Sequence, residues 1–343
     1  MRKKPMKQVL SICMMLSVLI AVAVGDLAAA PYYEGKVIRI TVGTTPGGGY
    51  DAWARIVARH WGNHIPGKPT IVVENIPGAG GLIQIKNLYS ATKPDGLTIG
   101  HILGGFILGQ FLGEPGYDFD GEKFNFIGAS YKDNVVLVLS KKSGITSAEK
   151  LRASPVPVKV GGLSKGNSSE GALRMAKYIG FPLQIVSGYK GTTEIRIAME
   201  SGEVAGGPPG WDSAKTSWLK PDSDEVFVAL QFVPKPIKEL PKVPRLIEFA
   251  KTDEQKKVVE VGVHAVNDFA RPFVAPPGVP RERVAMLRKA FDDMVRDPAF
   301  LADAAKMKVT VDPATGDELA AEIAAVAKAD KAILAKIKTI LFE

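Results

Sequence analysis

Two hydrophobic periods alternate along the chain. From Lys36 to Val42 apolar and polar positions alternate and β-branched residues dominate, which predicts a strand; Gly43 to Gly49 reads as a loop. From Asp51 the period lengthens, so that Trp53, Ile56, Val57 and His60 share one helical face, with Asp51 placed to cap the helix and an end expected near Gly62. The unit recurs as strand Thr70 to Glu74, loop Pro77 to Gly81 and helix Leu82 to Ala91, whose buried side carries Leu82, Ile85, Leu88 and Tyr89. A third copy runs from Val156 to Val160 through Gly161 to Asn167 into a helix from Ser168 to Ile179. A fourth runs from Leu183 to Val186 through Tyr189 to Thr193 into a helix from Glu194 to Ser201.

Strands alternating with helices predict an α/β fold with largely parallel sheets, in which ligands collect at the carboxyl ends of the strands. Two copies precede residue 132 and two follow it. Thr98 to Leu103 and Asn134 to Ser140 are further strand-like runs, the second suited to carry the chain from one domain to another, and Glu225 to Val233 is suited to the return. The expected division is domain 1 over 31–131 plus 236–343 and domain 2 over 132–235, with the ligand between them. Pro234, Pro236, Pro241 and Pro244 mark a connecting stretch. Arg281 to Arg296 reads as a packing helix closed by Asp297-Pro298, and Asp317 to Lys338 as one long Ala-rich helix.

The N-terminus changes the compartment. Arg2, Lys3, Lys4 and Lys7 precede an apolar run from Val9 to Val24, and Ala28-Ala29-Ala30 follows, so residues 1–30 read as a cleaved secretory signal peptide and the protein as periplasmic. That run is shorter than the roughly 20 residues a spanning helix needs. Cys13, the one cysteine, lies inside it, and bulky Ile12 before it argues against lipoprotein processing; the exported chain then holds no thiol for catalysis, metal binding or disulfides. With four basic residues and Asp26 removed from 44 and 36, the net charge falls from +8 to +5. Basic residues are interspersed with acids, as in Arg281-Glu282-Arg283, so no nucleic-acid-binding face is expected; a small anionic solute suits the charge better.

Each glycine loop leads into a helix N-terminus, where unpaired N–H groups and the positive dipole end can hold a carboxylate or phosphate without a charged side chain. One such loop is more often just a turn; four together point to anion binding. Gly78-Ala79-Gly80-Gly81-Leu82-Ile83 begins like a dinucleotide fingerprint but has Ile83 at the third glycine, and Gly62 to Lys68 starts like a phosphate loop but continues with Pro69. Gly162-Leu163-Ser164-Lys165-Gly166 satisfies the nucleophile-elbow pattern with His264 downstream, so an exported hydrolase using Ser164 stands as an alternative, although Ser164 precedes the helix by several residues. His60 and His64 have a zinc-pair spacing, but Gly62 lies between them and no acidic base does; a structural role is expected, with no metal or cofactor.

Ile38 to Val42 followed by Pro46 to Asp51, then Val72 to Gly81, Lys93 to Thr98, Gly188 to Gly191, Gly202 to Val204 and Val274 to Pro280 resemble the substrate-binding proteins of tripartite tricarboxylate transporters, the Bug family. The resemblance implies a type II periplasmic binding protein fold, two α/β domains joined by two crossing strands. It also implies a non-catalytic receptor that delivers an organic acid, a di- or tricarboxylate or an aromatic acid, to the large and small membrane subunits of a transporter. The positions it marks for ligand binding are Thr45, Pro46, Gly47, Gly48, Gly49, Tyr50 and Asp51; Gly78, Ala79, Gly80 and Gly81; Ser164, Gly166, Asn167, Ser168 and Ser169; and Tyr189, Gly191, Thr192 and Thr193. Tyr50 stands where that family commonly has a small residue, and Trp211 is added as a ring that could stack on the ligand or belong to the core. A sensor that presents its ligand to a kinase is a third reading.

Overall fold

Two mixed sheets carry the chain in a computed structural model that describes residues 31–219 and 224–343; the expected signal peptide lies outside the described residues. The first sheet has the order β11, β4, β10, β3, β1, β2, formed by Ala314–Thr315, Asn125–Ala129, Phe273–Ala275, Thr98–His101, Val37–Val42 and Thr70–Asn75. β1 is parallel to β2 and β3, and β10 is antiparallel to both β3 and β4. The second has the order β7, β6, β8, β5, β9, formed by Leu183–Val186, Val158–Gly161, Gly206–Gly207, Val136–Ser140 and Val226–Gln231. There β6 is parallel to β7 and β8, while β5 is antiparallel to β8 and β9. The α/β class is as expected, but the sheets are mixed and not largely parallel, because β10 and β11 in the first and β5 and β9 in the second pair antiparallel.

Local chemistry explains the helices. α1 (Gly49–Trp61) buries Trp53, Ile56 and Val57 against β1 and β2, and full burial of each such side chain contributes about 1.5–3 kcal/mol. α2 (Leu82–Ser90) buries Ile85 and Leu88. α3 (Gly105–Phe111) follows β3 directly and escaped the sequence reading because it is apolar all round, with no period to detect. α4 (Ser168–Ile179) has the expected bounds and starts on an Asn167 cap, and α5 (Thr192–Glu200) starts two residues earlier than expected, which puts Thr192 and Thr193 in its first turn.

Two expectations are corrected. Asp51 does not cap α1: the cap position is Gly48, and Asp51, inside the first turn, reaches back to accept from the Gly47 amide at 2.9 Å. Burial works against its charge, but hydrogen bonds from Arg55, Gly47 and Asn75 outweigh that and hold its carboxyl below the usual range. The long C-terminal helix is two helices, α6 (Gly316–Ala327) and α7 (Lys331–Phe342). Asp330 breaks the run by accepting from the Ala332 and Ile333 amides, a helix start that Ala-rich composition conceals.

Candidate functional site

The loops that follow β1, β6 and β7 converge on one cleft between the two sheets. Its inner cavity, about 20 Å³, is lined by Thr44, Gly48, Gly49, Tyr50, Leu163, Asn167, Ser169, Gly191, Thr192, Gly210, Ser213 and Arg271. That is room for about one oxygen-sized group. An adjoining chamber of about 220 Å³ shares Gly48, Gly49, Gly210, Ser213 and Arg271 and adds Gly47, Ala52, Trp53, Tyr131, Asp212, Thr216, Ser217, Met307 and Val309. The loops abut from opposite sides: a Cβ on Gly80, whose φ is +65°, would run into Ser164 Oγ, and one on Gly191 would stand 3.1 Å from Thr45 Oγ1.

Of the positions marked from sequence, the structure brings Gly47, Gly48, Gly49, Tyr50, Asn167, Ser169, Gly191 and Thr192 to the cavity walls. Asp51 lies behind them and shapes the Gly47 turn. Gly78, Ala79, Gly80 and Gly81 line neither cavity; their loop packs on Ser164 and Leu103. Thr45, Pro46, Ser164, Gly166, Ser168, Tyr189 and Thr193 line neither cavity, and the Tyr189 hydroxyl is already engaged with Glu203 at 2.7 Å. Trp211 lines neither cavity and packs in a core with Val136, Val138, Trp218, Val233 and Ile237, the core position that stood beside its stacking role. Ser164 Oγ has no hydrogen-bond partner and neither has His264 Nε2, so the elbow serine meets no base.

The side chain that sequence reasoning missed is Arg271. It is 5% exposed, and its guanidinium lies 4.0 Å over the Tyr50 ring and 5.0 Å from the Tyr131 ring. Nη2 donates to Asp133 Oδ1 at 3.2 Å and Nε stands 3.1 Å from Asp133 Oδ2; Nη1, like Nε, has no hydrogen-bond partner, and the residue lines both cavities. Backbone bonds fix its place: Gly104 N donates to Ala270 O at 2.8 Å and Ile102 N to Pro272 O at 3.2 Å, on either side of it. Tyr50 Oη donates to Ala270 O at 2.9 Å, so the tyrosine that departs from the family pattern is the shelf for the arginine. A Cβ on Gly49 would crowd Nη1 at 3.2 Å.

Burial opposes the arginine's charge, yet Asp133 together with Tyr131 and Tyr50 holds its pKa above the ordinary value. Next to it, burial and then the Arg271 charge push His101 down to about 3, so this imidazole is neutral at physiological pH. The helix ends complete the field. Gly48 and Gly191 cap α1 and α5 without any side-chain bond, leaving first-turn amides open, whereas Asn167 Oδ1 accepts from Ser169 N at 3.0 Å and Glu170 N at 3.4 Å and closes α4. A buried guanidinium with an unpartnered Nη1, lining one cavity together with two open helix N-termini, is an arrangement that can hold a carboxylate. Among the described residues no group of three or more His, Cys, Asp or Glu side chains is placed to hold a metal ion.

This is the fold of the type II periplasmic binding proteins. The solved structure of the periplasmic binding protein BugD superposes over 90% of this chain and 98% of its own, with a TM-score of 0.71 at 21% identity. An R. palustris protein solved with adipate covers 92% of this chain and 98% of its own, TM-score 0.71, at 17% identity. Bug proteins are thus structural neighbours, as the sequence resemblance leads one to expect. A Cupriavidus necator protein described as the UPF0065 protein in the gbd 5′ region is 37% identical over 75 residues, 22% of each chain; the chain therefore matches about a fifth of that relative's length. No family model matches the chain.

Proposed function

We propose that this protein is an extracytoplasmic solute receptor of the Bug type that binds a small organic carboxylate and delivers it to the membrane subunits of a tripartite tricarboxylate transporter, without chemical turnover. The observation that carries the carboxylate reading is Arg271, a buried cation that lines both cavities and whose Nη1 has no hydrogen-bond partner. A buried ionic group of this kind is stable only when its donors are met, and a ligand carboxylate meets them. The transporter and the periplasmic location, reached through cleavage of residues 1–30, rest on the sequence resemblance; no described helix is long and apolar enough to cross a membrane.

Binding runs in two stages on this reading. The acid docks on Arg271 and the open amides of α1, all carried by the first sheet, and closure brings the amide and hydroxyl of Thr192 and the hydroxyl of Ser169 from the second. The two sheets support the domain division at 31–131 plus 236–343 and 132–235, with the crossings at 130–135 and after β9. Asn267 ties these crossings together: its side chain donates to Phe232 O at 2.7 Å and its carbonyl accepts from Asp133 N at 3.0 Å. A thermal-shift screen of the purified protein against carboxylates, amino acids and inorganic phosphate tests the reading, because a ligand bound only by the folded state raises the melting temperature. A shift with carboxylates alone is expected; a shift with phosphate or uncharged solutes alone defeats it.

A further inference from the structure

The chamber beyond Arg271 has its own chemistry. Trp53 and Tyr131 stack with ring centroids 4.4 Å apart and form one wall, while Met307 and Val309, from the turn before β11, form another. Among the described residues that line the two cavities, Arg271 is the one cation, and one edge of it is spent on Asp133. The one anion on these walls is Asp212. Its oxygens are occupied by Lys215 Nζ at 3.0 Å, Thr310 N at 2.9 Å and Thr310 Oγ1 at 3.2 Å, and Lys215 is shared with Glu239 at 3.3 Å, so that lysine is already held between two acids.

A second carboxylate on the ligand would therefore leave Arg271 and enter a mainly apolar space whose walls hold a few hydroxyls, no further cation, and an acid at the edge. Desolvating it there is costly. An uncharged body is favoured instead. A cavity of about 150 Å³ lined by apolar side chains is large enough to take benzene, and the chamber measures about 220 Å³.

Resting on the carboxylate-receptor reading, we infer that the ligand is a monocarboxylate whose uncharged body, the size of one aromatic ring or a branched alkyl chain, lies between Trp53 and Met307. The carboxylate sits on Arg271 where the two cavities meet, with one oxygen in the inner cavity, and the body fills the outer one. This chain thereby differs in ligand class from the fold neighbour solved with adipate, whose ligand carries a carboxylate at each end.

Isothermal titration of the purified protein with phenylacetate, isovalerate, adipate and malate decides it. Phenylacetate or isovalerate is expected to bind at least about tenfold tighter than either dicarboxylate, and Val309→Lys, which places a cation on the chamber wall, to reverse that order. Tighter binding of adipate or malate by the unaltered protein overturns the monocarboxylate inference and leaves the receptor reading standing. Failure of all four acids, with the Arg271→Gln variant indistinguishable from the parent in every titration, overturns both.

Discussion

α1 and α4 end on the same cavity and are finished in opposite ways. α1 starts on Gly48, which offers no side chain, and its open first turn is joined by a full positive charge from Arg271. α4 starts on Asn167, whose carboxamide consumes two of the amides that would otherwise face a ligand. The first wall is built to attract an anion and the second to be complete without one. A cleft so divided docks its ligand on one side and uses the other to cover it, which is the order that hinge closure requires.

The comparison breaks most visibly at the charge. Arg271→Gln is expected to lower carboxylate affinity more than about 100-fold. It is also expected to cost about 3–5 kcal/mol of stability, because Asp133, itself buried, loses its partner. The double variant Arg271→Gln with Asp133→Asn separates the two effects. Urea unfolding should show much of the stability recovered while titration shows binding still lost, and recovery of binding in the double variant would refute Arg271 as the anion anchor.

The other wall gives the next effect. Asn167→Ala removes the cap of α4 and should lower stability by about 1 kcal/mol, read as a shift in the urea midpoint. Affinity should hold or rise slightly, since the Ser169 and Glu170 amides are released toward the cavity. A loss of affinity comparable to that of Arg271→Gln would mean that α4, too, is a primary anchor and would erase the contrast.

Much of this site was legible in the sequence because loops advertise themselves. Glycine runs after β-branched strands marked the loops that open α1, α4 and α5, all three of which meet at the cavities. The Gly78 to Gly81 loop looked identical by that signal, yet it packs against Ser164, since composition does not say which neighbour fills the space beside a turn. Arg271 was missed because its partners are remote: Asp133 is 138 residues away and the acceptor of Tyr50 is 220 residues away. A signal existed in the apolar run Phe269-Ala270-Arg271-Pro272-Phe273, where a lone cation among core residues calls for a buried partner, and in the bulky Tyr50 inside a glycine loop. The β10 strand, three residues long, was too short for any period to reveal.

The smallest effect tests what the charged wall does to its surroundings. His101 lies at 0% exposure, stacked 4.2 Å from Phe273 and 5.1 Å from Tyr50, and burial with the Arg271 charge depresses its folded pKa to about 3. Unfolding raises that value to about 6.5, so the unfolded chain binds a proton that the folded one refuses. Stability from this group is complete above pH 6.5 and is lost as pH falls toward 3. At pH 6 the loss is about 0.8 kcal/mol, and it steepens to about 1.4 kcal/mol per pH unit below that. His264, pushed down to about 4 mainly by burial, adds a parallel loss that does not depend on the cleft. His101→Phe should therefore reduce the acid slope of the unfolding free energy by close to one proton and leave the His264 part in place. An unchanged slope would mean that His101 is charged in the folded protein, which a buried ring against Arg271 does not allow.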